Sequence, residues 1–313
     1  MKKKILLLTV TVVLILSMSM ALLAGCGGDP VEFGEQTIGT EAPSNVAYSV
    51  EDGMSAFEML EVGVKNYYDA DVAVMSYKGS VVTTILGGIK VTQNVISNKI
   101  RVGKGDEGGN NANKAKYFAD NQSYGYTSLY EKMIIDGNSV TYKNSSSQKY
   151  DEDNGTWKKV KWNSDEKYDS VAALEKEKNN NPTILWMYDL QADFVLEEGT
   201  TKPVLENGVY TFTLNFDPLK STVEYQKTMQ TQLEVNAGMK VSGLTFETLK
   251  ITVELWENGA IKRIFITESY FMNMAGIIKS SITLNSDTQY AYEEVDGFRL
   301  QEHFDAFATE FVD

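Results

Sequence analysis

The chain has 313 residues, with 29 Lys and Arg against 43 Asp and Glu and a formal net charge of −14. So acidic a chain repels phosphate backbones, because nucleic-acid affinity rests on neutralising phosphates with Lys and Arg, and nucleic acid is not an expected partner. One His and one Cys exclude His/Cys metal clusters, disulfide frameworks and Cys–His catalysis, while 42% hydrophobic and 11% aromatic content is that of a folded globular protein.

The N-terminus reads as an export signal over 1–25: Lys2–Lys4, an apolar run from Ile5 to Leu16, then small residues up to Gly25. The uncharged stretch from Ile5 to Gly25 is also long enough to span a bilayer, so a retained anchor is the plain alternative. Leu23-Ala24-Gly25-Cys26, however, resembles the bacterial lipoprotein box, and the only Cys of the chain stands where that motif requires one. The resemblance implies that Cys26 is lipidated, that the peptide is cut just before it, and that the mature chain sits on the extracytoplasmic face of the cell membrane. Each buried CH₂ contributes about 0.8 kcal/mol, so the two chains of a diacylglycerol hold stably where one binds reversibly.

From Gly27 to about Asp52 the chain is rich in Gly, Pro, Glu, Thr and Ser and has no sustained apolar period. This predicts a flexible acidic tether over 26–52. Ser55-x-x-Glu58 is a capping box, and Phe57, Leu60, Val64 and Tyr68 recur on one face, predicting an amphipathic helix over 55–69. The period then drops to 2. Val72, Val74 and Ser76 alternate with Ala73, Met75 and Tyr77, and Gly87-Gly88 turns the chain into a second long strand, Ile89–Val102. Strands follow over 115–123, 128–135, 139–144 and 156–162, with Asp136-Gly137 and Asn154-Gly155 as turn pairs. Helices are expected near 166–178 and over 218–234, the latter with Asp217 as N-cap and Pro218 at N1.

The clearest strand is Tyr210–Phe216, in which Phe212, Leu214 and Phe216 alternate with polar residues. Leu249, Ile251, Val253 and Leu255 repeat the pattern before the Asn258-Gly259 turn, and Lys262, Ile264, Ile266 and Glu268 share one face of the returning strand. Ser281–Tyr292 is a last strand, and Leu300, Phe304, Phe307 and Phe311 mark an amphipathic helix over 298–313. Consecutive hairpins with few helices mean an antiparallel sheet, in an α+β, mainly β, fold.

Motifs with apparent chemistry have plainer readings. Gly103-Lys104-Gly105-Asp106-Glu107-Gly108 fits the dinucleotide fingerprint, but a loop follows it instead of a helix N-terminus, and two acids inside it repel pyrophosphate. Asp151-Glu152-Asp153-Asn154-Gly155 begins like a calcium loop and lacks the closing ligands, so it reads as a polar turn. His303 lies beside Phe304 with no nucleophile signature anywhere, and reads as a structural residue. Phe271-Met272-Asn273-Met274 and Trp186-Met187-Tyr188 read as core, with cavity lining as the sharper alternative. Neither a metal nor a cofactor is implied.

The order helix, long β hairpins, Met133-Ile134-Ile135-Asp136-Gly137-Asn138-Ser139-Val140-Thr141-Tyr142, then Leu255-Trp256-Glu257-Asn258-Gly259-Ala260-Ile261, resembles the LolA/LppX superfamily of lipoprotein carriers and lipid-binding lipoproteins. The resemblance spans about residues 55–293 and implies a strongly curved antiparallel sheet, an open half-barrel over 53–297, with helices covering an apolar cavity. A large insertion over 145–207 and the C-terminal helix depart from the family, and either could fill or lid that cavity. The leading expectation is a membrane-anchored, non-enzymatic lipoprotein that binds a lipid or other apolar small molecule through Phe212, Leu214, Phe216, Leu249, Ile251, Val253 and Leu255. The alternative is a cell-surface sensor or interaction module with a filled core, reading a protein or cell-wall partner. A third reading, a hydrolase, would need converging carboxylates in opposed environments.

Overall fold

The computed structural model describes residues 38–85, 88–104, 115–125, 129–136, 139–145, 149–151, 156–158, 166–168, 188–237, 241–274 and 278–309. The signal segment, Cys26 and most of the 145–207 insertion lie outside them.

The first helix, α1, runs Ala56–Asp69. Its capping box forms as the spacing predicts: the Glu58 N–H donates to Ser55 Oγ at 3.2 Å, and the Ser55 N–H donates to Glu58 Oε2 at 2.7 Å. Strands β1 (Val72–Ile85), β2 (Ile89–Val102), β3 (Lys116–Gly125), β4 (Leu129–Asp136) and β5 (Ser139–Ser145) then meander in antiparallel order. A two-stranded ribbon joins β6 (Lys149–Asp151) and β7 (Thr156–Lys158), so Asp151 pairs with Thr156 in a hairpin. Glu166–Tyr168 forms β8 and pairs with β5, where a helix was expected. Pairing with a sheet edge overrides a weak helical pattern. The rest of that expected helix, 169–178, lies outside the described residues.

After β9 (Val195–Leu196), β10 (Val204–Glu206) and β11 (Val209–Phe216), Asp217 caps α2 (Pro218–Ser221) by accepting from the Leu219 N–H at 3.0 Å. The expected single helix is interrupted at Thr222, and α3 spans Val223–Ala237. Three long strands follow: β12 (Val241–Trp256), β13 (Ile261–Met274) and β14 (Ile278–Ala291), and α4 (Leu300–Thr309) closes the chain.

All pairings are antiparallel, in the order β10-β11-β12-β13-β14-β1-β2-β3-β4-β5-β8, with β9 beside β11. Two hairpin wings thus meet where β14 pairs with β1, from Val74–Ala291 to Thr84–Ser281. The sheet's two ends, β10 and β8, do not meet, so the expected open, mainly β half-barrel is the fold.

Helix α1 lies on the inner face, over Phe212, Leu214, Phe216, Ile251, Val253 and Leu255. Gly63 permits the close approach: a Cβ there would stand 2.6 Å from Ile261 Cγ1 and 2.7 Å from Leu255 Cδ1. Arg101 of β2 donates to the Tyr67 and Ala70 carbonyls at 2.6 and 3.1 Å and supplies the cation that the last turn of α1 lacks. Helix α3 covers a second inner cluster through Tyr225 and Met229, against Val81, Phe246, Tyr270, Met272, Ile282 and Leu284. Helix α4 packs instead on the outer face, its Leu300 and Phe307 against Val74, Ile100 and Phe118. It therefore neither fills nor lids the inner face.

Two local expectations change. A register shift at Glu254/Leu255 brings Ile261 opposite Leu255 and takes Lys262 off the apolar face. Lys262 sits instead 3.7 Å from Glu254 and over the Trp256 ring. The described end of the tether is also fastened to the domain: Ile38 is buried, the Asn66 amide binds the Ala47 and Tyr48 backbone, and Asn258 donates to the Pro43 carbonyl at 2.7 Å.

Candidate functional site

The seven expected lining residues do converge. Phe212 is opposite Val253 and Leu214 opposite Ile251, so β11 and β12 present one continuous apolar surface inward. Phe212, Leu214, Phe216, Leu249, Ile251, Val253 and Leu255 are each between 0 and 1% exposed. They are also covered, since Phe57 of α1 meets Phe216 edge-on at 6.2 Å and Met59 and Leu60 join the same cluster. This half of the inner face is filled by the protein itself.

A different arrangement occupies the seam between the two inner clusters. On β13, inward positions read Ile264, Ile266, Glu268, Tyr270 and Met272, and Glu268 is 0% exposed. Among the described residues no basic group accompanies it. Tyr188 donates to Glu268 Oε2 at 2.6 Å, and the Tyr225 hydroxyl of α3 also hydrogen-bonds the carboxyl. Burial pushes the Glu268 carboxyl up to about 7, against these two hydrogen bonds, which favour its ionised form. Among the described residues, Oε1 of Glu268 and the hydroxyl of Tyr270, also 0% exposed, have no hydrogen-bond partner.

Aromatic groups from five parts of the chain enclose this acid. Tyr188 stands edge-on to Tyr225 at 5.6 Å, Tyr225 contacts Phe246 at 5.3 Å, and Phe246 contacts Tyr270 at 4.7 Å. From β1, the Tyr77 ring lies along its own strand with the hydroxyl over Gly79. A Cβ at Gly79 would stand 2.8 Å from Tyr77 Cζ, so any larger residue there would have to displace the Tyr77 ring. Gly79 is opposite Ser286 of β14, and the Tyr77 hydroxyl interacts with that serine.

The sequence reading placed Glu268 on the correct face without assigning it a role. The available signal was a carboxylate at an inward position of an otherwise apolar alternation, since such a group is costly to bury unless it is paired or used. Tyr188 was marked only within the run Trp186-Met187-Tyr188, read as core or cavity lining, and Tyr225 and Tyr77 carried no local signal.

A second inward ionisable group lies on β2. Lys99 is set between Met75 of β1 and Ala119 of β3, and burial pushes its ammonium down to about 8. Beyond it the inner face turns polar, with Ser97 donating to Asn121 at 2.6 Å and Gln93 to Ser123 at 2.5 Å. His303 stacks on Phe118 at 4.2 Å, with Nε2 3.0 Å from the Gly297 carbonyl oxygen; burial pushes it below the ordinary range. Among the described residues no group of three or more His, Cys, Asp or Glu could hold a metal ion, and no helix is long and apolar enough to cross a membrane. The glycine run from Gly105 and the acidic turn 152–155 lie outside the described residues.

Fold and site together define a class: an open antiparallel half-barrel with two helices on its inner face and, between them, a buried acid with no cation beside it among the described residues. No family model matches the chain, and no curated protein matches it. The crystal structure of the ywiB protein from Bacillus subtilis aligns over 70% of this chain and 94% of its own, at 7% identity and a TM-score of 0.19. So slight a likeness carries no argument about this chain.

Proposed function

We propose that this protein is an extracytoplasmic lipoprotein, anchored through Cys26, whose half-barrel binds a lipid or other apolar molecule without chemical turnover. The observation that carries the reading is that Glu268 Oε1 and the Tyr270 hydroxyl, buried in the apolar inner face, lack a hydrogen-bond partner among the described residues. A buried polar atom left without a partner costs about 1–3 kcal/mol. A ligand that brings the missing hydrogen bonds, and apolar surface to match the clusters on either side, offsets that cost.

Helix α3 is the element that yields to admit it. Helix α1 buries eight residues, whereas from Val223 to Thr231 α3 buries only Tyr225 and Met229 and leaves Val223 exposed. Burying a few hundred Å² of acyl chain at about 25 cal/mol per Å² contributes several kcal/mol before ordering costs.

The full burial of Phe212 to Leu255 beneath α1 favours a second reading, a filled interaction module for a protein or cell-wall partner. Mass spectrometry separates the two. The chain from Gly27, which holds every described residue, is purified and its co-purifying organic extract analysed. Stoichiometric lipid, or saturable uptake of a neutral fluorescent probe, is the expected result. A folded chain that carries no lipid and takes up no probe refutes it and leaves the interaction module.

A further inference from the structure

We propose that the ligand of the inner face is an uncharged lipid bearing a hydroxyl group, and that this hydroxyl is held by Glu268 and Tyr270 beneath α3. The inference rests on the ligand-binding reading above and names the chemistry of its ligand.

The argument comes from what surrounds the acid. Among the described residues, the polar and titratable groups facing it are Tyr77 from β1, Tyr188 from the segment before β9, Tyr225 from α3, Tyr270 beside it on β13 and Ser286 from β14. No Lys, Arg or His is among them. An anionic headgroup brought here finds no counter-charge, and it meets a carboxyl that ionises as pH rises past about 7. Desolvating such a headgroup without a cation is prohibitive at this burial. A cationic headgroup is disfavoured for a different reason. An ammonium can pair with the carboxyl, but burying both charges costs desolvation that offsets their attraction, and a group that only donates leaves the Tyr270 proton without an acceptor.

Two atoms on the same face of β13, two positions apart, have no partner among the described residues: one carboxyl oxygen and one phenol. A hydroxyl both donates and accepts, so one ligand oxygen satisfies both: it donates to Glu268 Oε1 and accepts from the Tyr270 hydroxyl. The apolar cluster under α3 supplies the surface for its chain.

The test compares lipids of one chain length on the chain from Gly27. Oleyl alcohol, monooleoylglycerol, oleate and oleylamine each displace the neutral probe N-phenyl-1-naphthylamine at about pH 8. The two hydroxyl lipids are expected to compete at least about tenfold better than oleate or oleylamine. Tyr270→Phe and Glu268→Leu, both conservative in volume, are expected to weaken the hydroxyl lipids about tenfold each, the worth of one buried hydrogen bond. Oleate should be weakened by neither. A merely structural role for these residues would move all four lipids together. Equal affinity for oleate or oleylamine, or hydroxyl lipids indifferent to both substitutions, overturns the proposal while the ligand-binding reading stands. Displacement by none of the four, in a chain that binds the probe through another class of lipid, also overturns it. A chain that binds no probe and no lipid at all removes the reading on which it rests.

Discussion

Glu268→Gln isolates the energetic consequence of a buried acid without a cation. In the folded chain this carboxyl ionises near 7, against an ordinary value of 4.5. Between those values the folded state holds a proton that the unfolded state has released, so stability falls as pH rises through the window. It is fully present below about 4.5 and lost above about 7. At 1.36 kcal/mol per unit of pKa, the difference amounts to about 3 kcal/mol. Glutamine keeps the shape and the hydrogen-bonding capacity and removes the titration. Urea unfolding of the chain from Gly27 should therefore give nearly equal stabilities for wild type and variant near pH 4.5. Near pH 8 the variant should be more stable by about 3 kcal/mol, through its midpoint and with its slope unchanged. His303 and Lys99 also titrate, but they are common to both proteins and cancel in the difference. Parallel pH profiles for the two proteins would refute the reasoning, because they would mean that Glu268 is solvated or paired.

Leu214→Asp places a carboxylate on the filled inner face and should cost several kcal/mol, whereas Thr213→Asp, half-buried on the other face beside Thr252, should be mild; thermal melts of the pair check the facing of β11. Lys99→Met removes an ammonium held down to about 8, so it should stabilise the chain by a few kcal/mol at neutral pH, with the gain shrinking as pH rises from 8 towards 10.5, as unfolding across that range would show. Cys26→Ala should abolish acylation and shift the protein out of the detergent phase on partitioning, because no other thiol can accept lipid.

The sequence by itself determined the elements whose signals are local. Ser55 and Glu58 cap each other across one turn, Pro218 follows its capping Asp217, and the period-2 alternation of Phe212, Leu214 and Phe216 marks an inward face wherever the strand is placed. Those signals act over a few residues and survive any tertiary arrangement. The tertiary structure decided which strands are neighbours and what each face meets. The pairing of β14 with β1 joins residues some two hundred positions apart, and nothing local encodes it. Edge pairing with β5 made Glu166–Tyr168 a strand, and the apolar stripe of α4 fitted the outer face as readily as the inner. Glu268 was legible as an oddity, an acid in an apolar alternation. Its meaning needed Tyr77, Tyr188, Tyr225 and Tyr270 from four separate stretches of chain, because the ionisation of a carboxyl depends on the water it has lost and the partners it has gained, and both are set only when the sheet and its helices close around it.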